Sequence, residues 1–341
     1  MSYIMLALGW ILKFCNMLVG NYGVTIILFT ILVKAILLPM MVKQQRSMTK
    51  TQKLQPLLNE LQQKYANDKD KLNMETMKLY QKYKINPMSG CLPLLIQLPI
   101  LMALYWVVKK PVVYLMGFRD DEVWRIVSAV TQWAESNPDG LSQFFAALGV
   151  ENMEALTANG YRMFGMYEIQ IARFLHLHPE IMNSQWILET GRNYDIVNFN
   201  FLGLDLSQTP NLGAFFSMFI GQFGGLTTDT VALWSIPVLS GVSSYVVSKL
   251  SQKMQPTPPQ RDANGEEKSN PMQAMMLFMP FMSAWFAFTL PAAVGLYWIV
   301  SNVLQLVQQF VLMKVVKVDL TDEQIEGEIV NVKKSRKKRK K

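Results

Sequence analysis

A lysine stands where lysines are rarely found. Lys34 falls inside the run NYGVTIILFTILVKAILLPM, thirteen residues past Asn21 and nine before Lys43. A lysine at the centre of a membrane-spanning helix costs roughly 2.5–3.5 kcal/mol on insertion scales. Snorkelling is one way to offset that cost, but Lys43 lies about 13 Å further along a helix, and a lysine stem covers only part of that distance. The other is a hydrated pocket facing other helices, where the ammonium could hold an anionic or polar group. No Asp or Glu lies within the apolar runs to pair with it. Thr30, one helical turn earlier, Gln97, Trp298, Ser301, Asn302 and Gln305 are polar or amphipathic residues in other positions of the same kind. Ser301, Asn302 and Gln305, at spacings of one and four, share one helical face with Trp298 a turn before. Either they bond neighbouring helices in the ordinary way or they line a groove with Lys34.

Other chemistry is weakly signalled. His176 and His178 in HLHP lack a Cys or acidic residue at metal-ligand spacing, so surface histidines are expected and no metal or cofactor. There is no phosphate-cradling glycine loop and no nucleophile elbow, so the chain is expected not to be an enzyme and has no catalytic residues to name. The tail KKSRKKRKK (Lys333, Lys334, Arg336, Lys337, Lys338, Arg339, Lys340, Lys341) is a charge run suited to a polyanion, a lipid surface or plain solvation.

The elements that must carry these residues are those of an all-α membrane protein. Charged residues make up 17% of the 341, well below the roughly 25% of soluble domains. Apolar stretches predict spans at 21–42, 91–110 and 231–248, and a run of about 40 residues too long for one span, which must fold back at Pro291 into 272–290 and 292–313. Residues 1–20 are expected to form an interfacial helix, with Trp10 and Lys13 at headgroup level, rather than a secretory leader. The segment 212–226 is too short and glycine-rich to span, and is expected to be interfacial or re-entrant. Cys15 and Cys91 would then lie at opposite faces, against a disulfide.

Basic residues set the orientation. Segment 42–90 has ten Lys/Arg against four Asp/Glu, 248–273 four against three, and 314–341 ten against five, whereas 111–230 has five against thirteen. The first three are expected in the cytoplasm, and the last outside together with the amino terminus. Lys109 and Lys110 run locally against the rule. The cytoplasmic segment 43–90 reads as a helical hairpin, with Leu54, Leu57, Leu58, Leu61 and Tyr65 on one amphipathic helix, Leu72, Met77, Tyr80 and Tyr83 on the next, and a turn at Asn67–Asp68. Residues 111–230 read as a mostly helical extracytoplasmic insertion, 249–271 as a loop and 314–341 as a basic cytoplasmic tail.

The run from NYGVTIILFTILVKAILLPM through KQQRSMTKTQKLQPLLNELQQKY to NPMSGCLPLLIQLPILMALYW resembles the YidC/Oxa/Alb family of membrane protein insertases. So do IPVLSGVSSYVVSK, MMLFMPFMSAWFAFTLPAAVGLYWIVSNVLQLVQQ and the basic tail. The resemblance implies a five-helix core in a bacterial cell membrane and a hydrophilic groove whose usual arginine is Lys34 here. Lysine keeps the charge but lacks the guanidinium's fixed fork. It further implies nascent membrane proteins as substrates, a hairpin that receives them, a tail that contacts the ribosome, and no small-molecule substrate. It leaves open whether a Sec translocon assists, and it says nothing of residues 112–200. A small-solute transporter using Lys34 for an anion is disfavoured because no internal repeat is evident. A membrane-anchored scaffold whose outer domain does the work remains a third possibility.

Overall fold

A computed structural model describes residues 2–65, 68–85, 92–119, 121–157, 164–221, 226–254, 260–261, 267–268, 271–316, 318 and 320–340. In chain order the helices are α1 (Ser2–Val19), α2 (Tyr22–Lys53), α3 (Gln55–Lys64), α4 (Lys69–Lys82), α5 (Leu92–Lys109), α6 (Val123–Glu135), α7 (Gly140–Leu148), α8 (Met153–Thr157), α9 (Phe164–Leu177), α10 (Gln185–Leu188), α11 (Leu212–Phe219), α12 (Thr228–Leu233), α13 (Ser235–Met254), α14 (Pro271–Thr289), α15 (Ala292–Val315) and α16 (Asp322–Lys340). Two hairpins, β1–β2 (Asn200–Phe201 with Leu204–Asp205) and β3–β4 (Gln260–Arg261 with Glu267–Lys268), are antiparallel two-residue ladders. The chain is an all-α membrane protein. Among the described residues three stretches are long and apolar enough to cross a bilayer: Tyr22–Lys53, Thr228–Lys253 and Ala292–Val315.

Local sequence explains where these elements begin and end. Helix α2 runs past its apolar stretch through the mostly polar residues 43–53 to Lys53, and the break follows at Leu54, with Pro56 in the first turn of α3, where a missing N–H is harmless. Asp68 caps α4, its carboxylate accepting from the Lys71 N–H at 3.2 Å, while Asn67, the other residue of the expected turn, lies outside the described residues. Pro291 stands between α14 and α15. The segment at 212 gives the eight-residue α11, capped by Asn211.

The chain divides into two compact units. The first comprises residues 1–32, 98–240 and 283–300. In it α1 buries Leu8, Leu12 and Cys15 and packs on a π-helical turn, Val112–Met116, while Trp10 is exposed. The segment between α5 and α12 is mostly helical: α6, with Val123, Ile126, Val127 and Val130 buried at helical spacing, packs with α7, which packs on α9. Phe174 sits against Phe144 at 5.1 Å and Trp133 at 5.9 Å. Near the beginning of α15, a Cβ on Gly295 would come within 2.4 Å of Ile236, so only glycine admits α13 this close.

The second unit comprises residues 33–97, 241–282 and 301–341. Leu54, Leu57, Leu58 and Leu61 of the first hairpin helix and its entry join Leu79, Ile85, Leu320 and Ile325 in one buried cluster. The carboxyl-terminal segment is thus not a solvated tail throughout, because α16 packs along α3.

Candidate functional site

Tyr22, Ile26, Phe29, Thr30 and Val33 recur at three- and four-residue steps and form the buried stripe of α2. Ile31, Leu32 and Ile36 are exposed. Lys34 is half-buried, one turn beyond Thr30 on the border of that stripe, and among the described residues no acidic side chain pairs with it. Thr30 itself is fully buried and its hydroxyl donates to the Ile26 carbonyl at 2.6 Å, so its polarity is spent inside its own helix.

The α15 residues divide. Trp298 is half-buried and stacks on Phe286, with ring centres 6.1 Å apart. Ser301 and Asn302 are buried, and the Asn302 amide donates to Ser243 and Ser244 of α13, each at 2.9 Å. Seven residues further along both helices, Ser251 donates to Gln309 at 3.2 Å. The repeat makes α13 and α15 parallel neighbours joined by two polar rungs, so ordinary interhelical bonding accounts for Asn302. Gln305, between the rungs, is half-buried. Lys34, Ser301, Asn302 and Gln305 belong to the second unit, Thr30 and Trp298 to the first. The Gln97 side chain lies outside the described residues. Sequence reasoning missed Ser243, Ser244, Ser251 and Gln309, although the serines of SGVSSYVVSKLS are visible inside an apolar stretch.

The two lysines that offend the charge rule are each accommodated locally. Lys109 lies over the Tyr105 ring at 5.2 Å. Lys110 faces Glu168 at 3.8 Å, and that carboxylate, 1% exposed, also accepts the Val113 N–H at 3.1 Å. Glu168 was not singled out from sequence, because one acid among thirteen in residues 111–230 carries no spacing signal. His178 packs in tilted contact with the Trp133 and Phe174 rings and faces Glu180 at 3.4 Å, and His176 is exposed.

The basic end of the chain is presented by a structured element. Leu320 and Ile325 enter the hairpin cluster, with Ile329 and Val332 partly buried beside them. Lys53 donates its ammonium to the Leu320 carbonyl at 2.8 Å, and Lys82 of α4 is ion-paired with Glu328. The hydrogen bond to Glu328 raises the Lys82 pKa above the ordinary lysine value, against a smaller opposing effect of burial. The stripe 325, 329, 332 runs at steps of four and three, but three apolar residues just ahead of a charge run are too few to signal a docked helix in sequence. Lys334 is exposed. The side chains of Lys333, Arg336, Lys337, Lys338, Arg339 and Lys340, and all of Lys341, lie outside the described residues.

Comparison with known proteins covers most of this architecture. The chain is 51% identical over 106 residues to the Membrane protein insertase YidC of Fusobacterium nucleatum, a match spanning 31% of this chain and 52% of that protein. It is 29% identical over 318 residues to the Membrane protein insertase YidC of Caldanaerobacter subterraneus, covering 93% of this chain and 97% of that one. With the Membrane protein insertase YidC of Saccharophagus degradans it shares 48% over 101 residues, 30% of this chain and 18% of the other. The chain thus spans about half, nearly all and under a fifth of these three relatives in turn. The family model for the 60Kd inner membrane protein matches residues 14–319, which takes in every helix from α2 to α15 and leaves α16 beyond it. By that match the chain belongs to the 60Kd inner membrane protein family.

Proposed function

We propose that the chain is a membrane protein insertase that helps transmembrane segments of newly made proteins enter the bilayer. The observation that carries this is the match along almost the whole of both chains to a relative bearing that name. The second unit supplies a rationale. Lys34 and Gln305 each stand nine residues, about 13 Å of helix, before a lysine that ends their apolar run, Lys43 and Lys314. Both therefore lie at similar depth from the same end of their helices. Two buried amide oxygens of this unit, Gln44 Oε1 and Gln308 Oε1, have no hydrogen-bond partner among the described residues. Buried acceptors without partners suit a site that a polar guest enters.

In this reading a hydrophilic groove contains Lys34, Gln97, Ser301 and Gln305, with Asn302 holding its wall to α13. A polar or acidic stretch of a passing chain loses water on entering the bilayer, at several kcal/mol for an unpartnered group. Lys34 offsets part of that loss for an anionic stretch, and the amides and hydroxyls do so for neutral ones. No bond is made or broken, and no cofactor takes part.

The surrounding organisation follows. Five spans place the amino terminus outside and the α3–α4 hairpin and α16 in the cytoplasm of a bacterial cell. The hairpin receives nascent membrane proteins, and Lys333 to Lys341 contact ribosomal RNA by neutralising phosphates, a contact that weakens with salt. A Sec translocon is an additional partner for some substrates. The test is reconstitution. Liposomes containing the purified protein should insert a single-span substrate that protein-free liposomes leave exposed to protease. Equal protection in both would overturn the assignment.

A further inference from the structure

The hairpin β1–β2 turns through Leu202–Gly203, and both residues have positive φ, 53° and 80°. Two-residue turns of this hand favour Asn, Asp or Gly first, because a β-carbon at positive φ crowds the backbone. Leu202 is strained there, and at 86% exposed it gains little packing within the chain. A polar residue would suit both the backbone and water better.

The hairpin that presents this leucine is firmly mounted. Asn21 donates its side-chain amide to the Asn200 carbonyl at 2.8 Å, and the Tyr22 N–H donates to Asn198 at 3.1 Å. The Phe201 ring lies over Gly23, where a Cβ would come within 2.1 Å of it. On the other side the Ala292 and Ala293 N–H groups donate to the Gln208 and Leu206 carbonyls at 2.8 and 3.0 Å. The segment 198–208 thereby occupies backbone donors in the first turns of α2 and α15, donors that a helix cannot satisfy itself. Both helices are of membrane-spanning length. The next helix, α11, continues the apolar exposure with Phe216 and, just past its end, Ile220, and its Phe215 is held by Trp234 and Phe288 at 5.2 and 5.1 Å.

We propose that Leu202 is a fixed lipid anchor, seated among the acyl chains just below the headgroups of the outer leaflet. The lipid occupant follows from the mount: the tip is held at the level where two membrane-length helices begin, is uncharged, and is followed by further exposed apolar residues. This rests on the reading that α2 and α15 start at the extracytoplasmic face. Seated there, the anchor fixes the depth of both helices and, through them, of Lys34.

The test uses the full chain with Cys15→Ser and Cys91→Ser, carrying Leu202→Cys or, as a solvent control, Asp195→Cys, labelled with an environment-sensitive fluorophore. In phosphatidylethanolamine–phosphatidylglycerol liposomes, lipids bearing a nitroxide near the headgroup should quench the label at 202 at least twofold more than the one at 195. Equal quenching overturns the proposal and leaves a soluble protein partner as the occupant. In detergent, away from the bilayer, the variant Leu202→Asn should melt at the same or higher temperature, since it relieves the strained turn. A lower melting temperature would mean that the leucine packs within the chain, and it would overturn the proposal too. Sidedness is checked by a membrane-impermeant thiol reagent: Asp195→Cys should react from outside. Reaction only from the cytoplasmic side would sink the orientation, and with it the outer-leaflet placement, whatever the quenching shows.

Discussion

Replacing Ile325 by Asp should release α16 from the hairpin while leaving the rest of the protein folded. Ile325 is 5% exposed within the cluster of Leu54, Leu57, Leu58, Leu61 and Leu79. Burying an isoleucine side chain contributes about 1.5–3 kcal/mol, and an aspartate in its place adds a desolvation cost. At about 1.4 kcal/mol per factor of ten, opening of α16 should increase by roughly 10- to 100-fold or more. The Lys82–Glu328 ion pair is the rival explanation for docking. Its lysine end is 59% exposed, and pairs of that kind contribute about 0–1 kcal/mol, so Glu328→Gln should raise opening by about fivefold at most. Hydrogen exchange read by mass spectrometry separates the two. Peptides from 322–340 and 55–64 should lose protection strongly in Ile325→Asp and slightly in Glu328→Gln, with 22–41 unchanged. Unchanged exchange of 322–340 in Ile325→Asp, or a larger effect of Glu328→Gln, would refute a docking held by apolar burial.

Three further outcomes follow from the packing. Asn302→Ala removes both bonds to α13 and should lower unfolding stability by about 0.6–1.7 kcal/mol, the range for interhelical bonds in membranes, in a denaturant titration. Gly23→Ala should cost about 1–3 kcal/mol by overpacking against Phe201, seen as a lower melting temperature. The pH dependence of docking has a fixed sign. Because the folded Lys82 pKa is raised from 10.5, its contribution is complete below that value and is lost only as pH rises through the folded one. Protection of α16 should therefore show no loss from Lys82 between pH 6 and 9 and should decline only in stronger alkali.

Sequence patterns revealed what depends on one element at a time. The face Leu54, Leu57, Leu58, Leu61 shows helical period without knowledge of its partner, Asp68 caps by chemistry local to three residues, and Pro291 ends a helix wherever it stands. Lys34 stood out because charge in an apolar run is costly in any fold. What remained hidden were partnerships. The face bearing Ser301, Asn302 and Gln305 could be drawn, but not that Ser243 and Ser244 receive the Asn302 amide. Glu168 looks like any acid until the fold brings it to Lys110 and the Val113 N–H. The four residues Leu320, Ile325, Ile329 and Val332 are too sparse and too close to KKSRKKRKK to announce a docked helix. The backbone clamp of 198–208 on α2 and α15 involves main-chain groups that no side-chain pattern encodes.

In the proposed function the charge at Lys34 serves polar segments of a substrate, and insertion of paired substrates reads that role. Insertion of two single-span proteins, one with an acidic and one with a neutral translocated tail, is followed in cells whose only insertase of this kind is wild type, Lys34→Arg or Lys34→Ala at equal protein level. Arginine keeps the charge and should support both substrates. Alanine should impair the acidic-tailed protein selectively, and it should not unfold the bundle, because removing an unpaired charge from an apolar helix relieves a cost of roughly 2.5–3.5 kcal/mol. Equal insertion of both substrates by Lys34→Ala would refute a role for the charge and leave Lys34 as a lysine that merely snorkels.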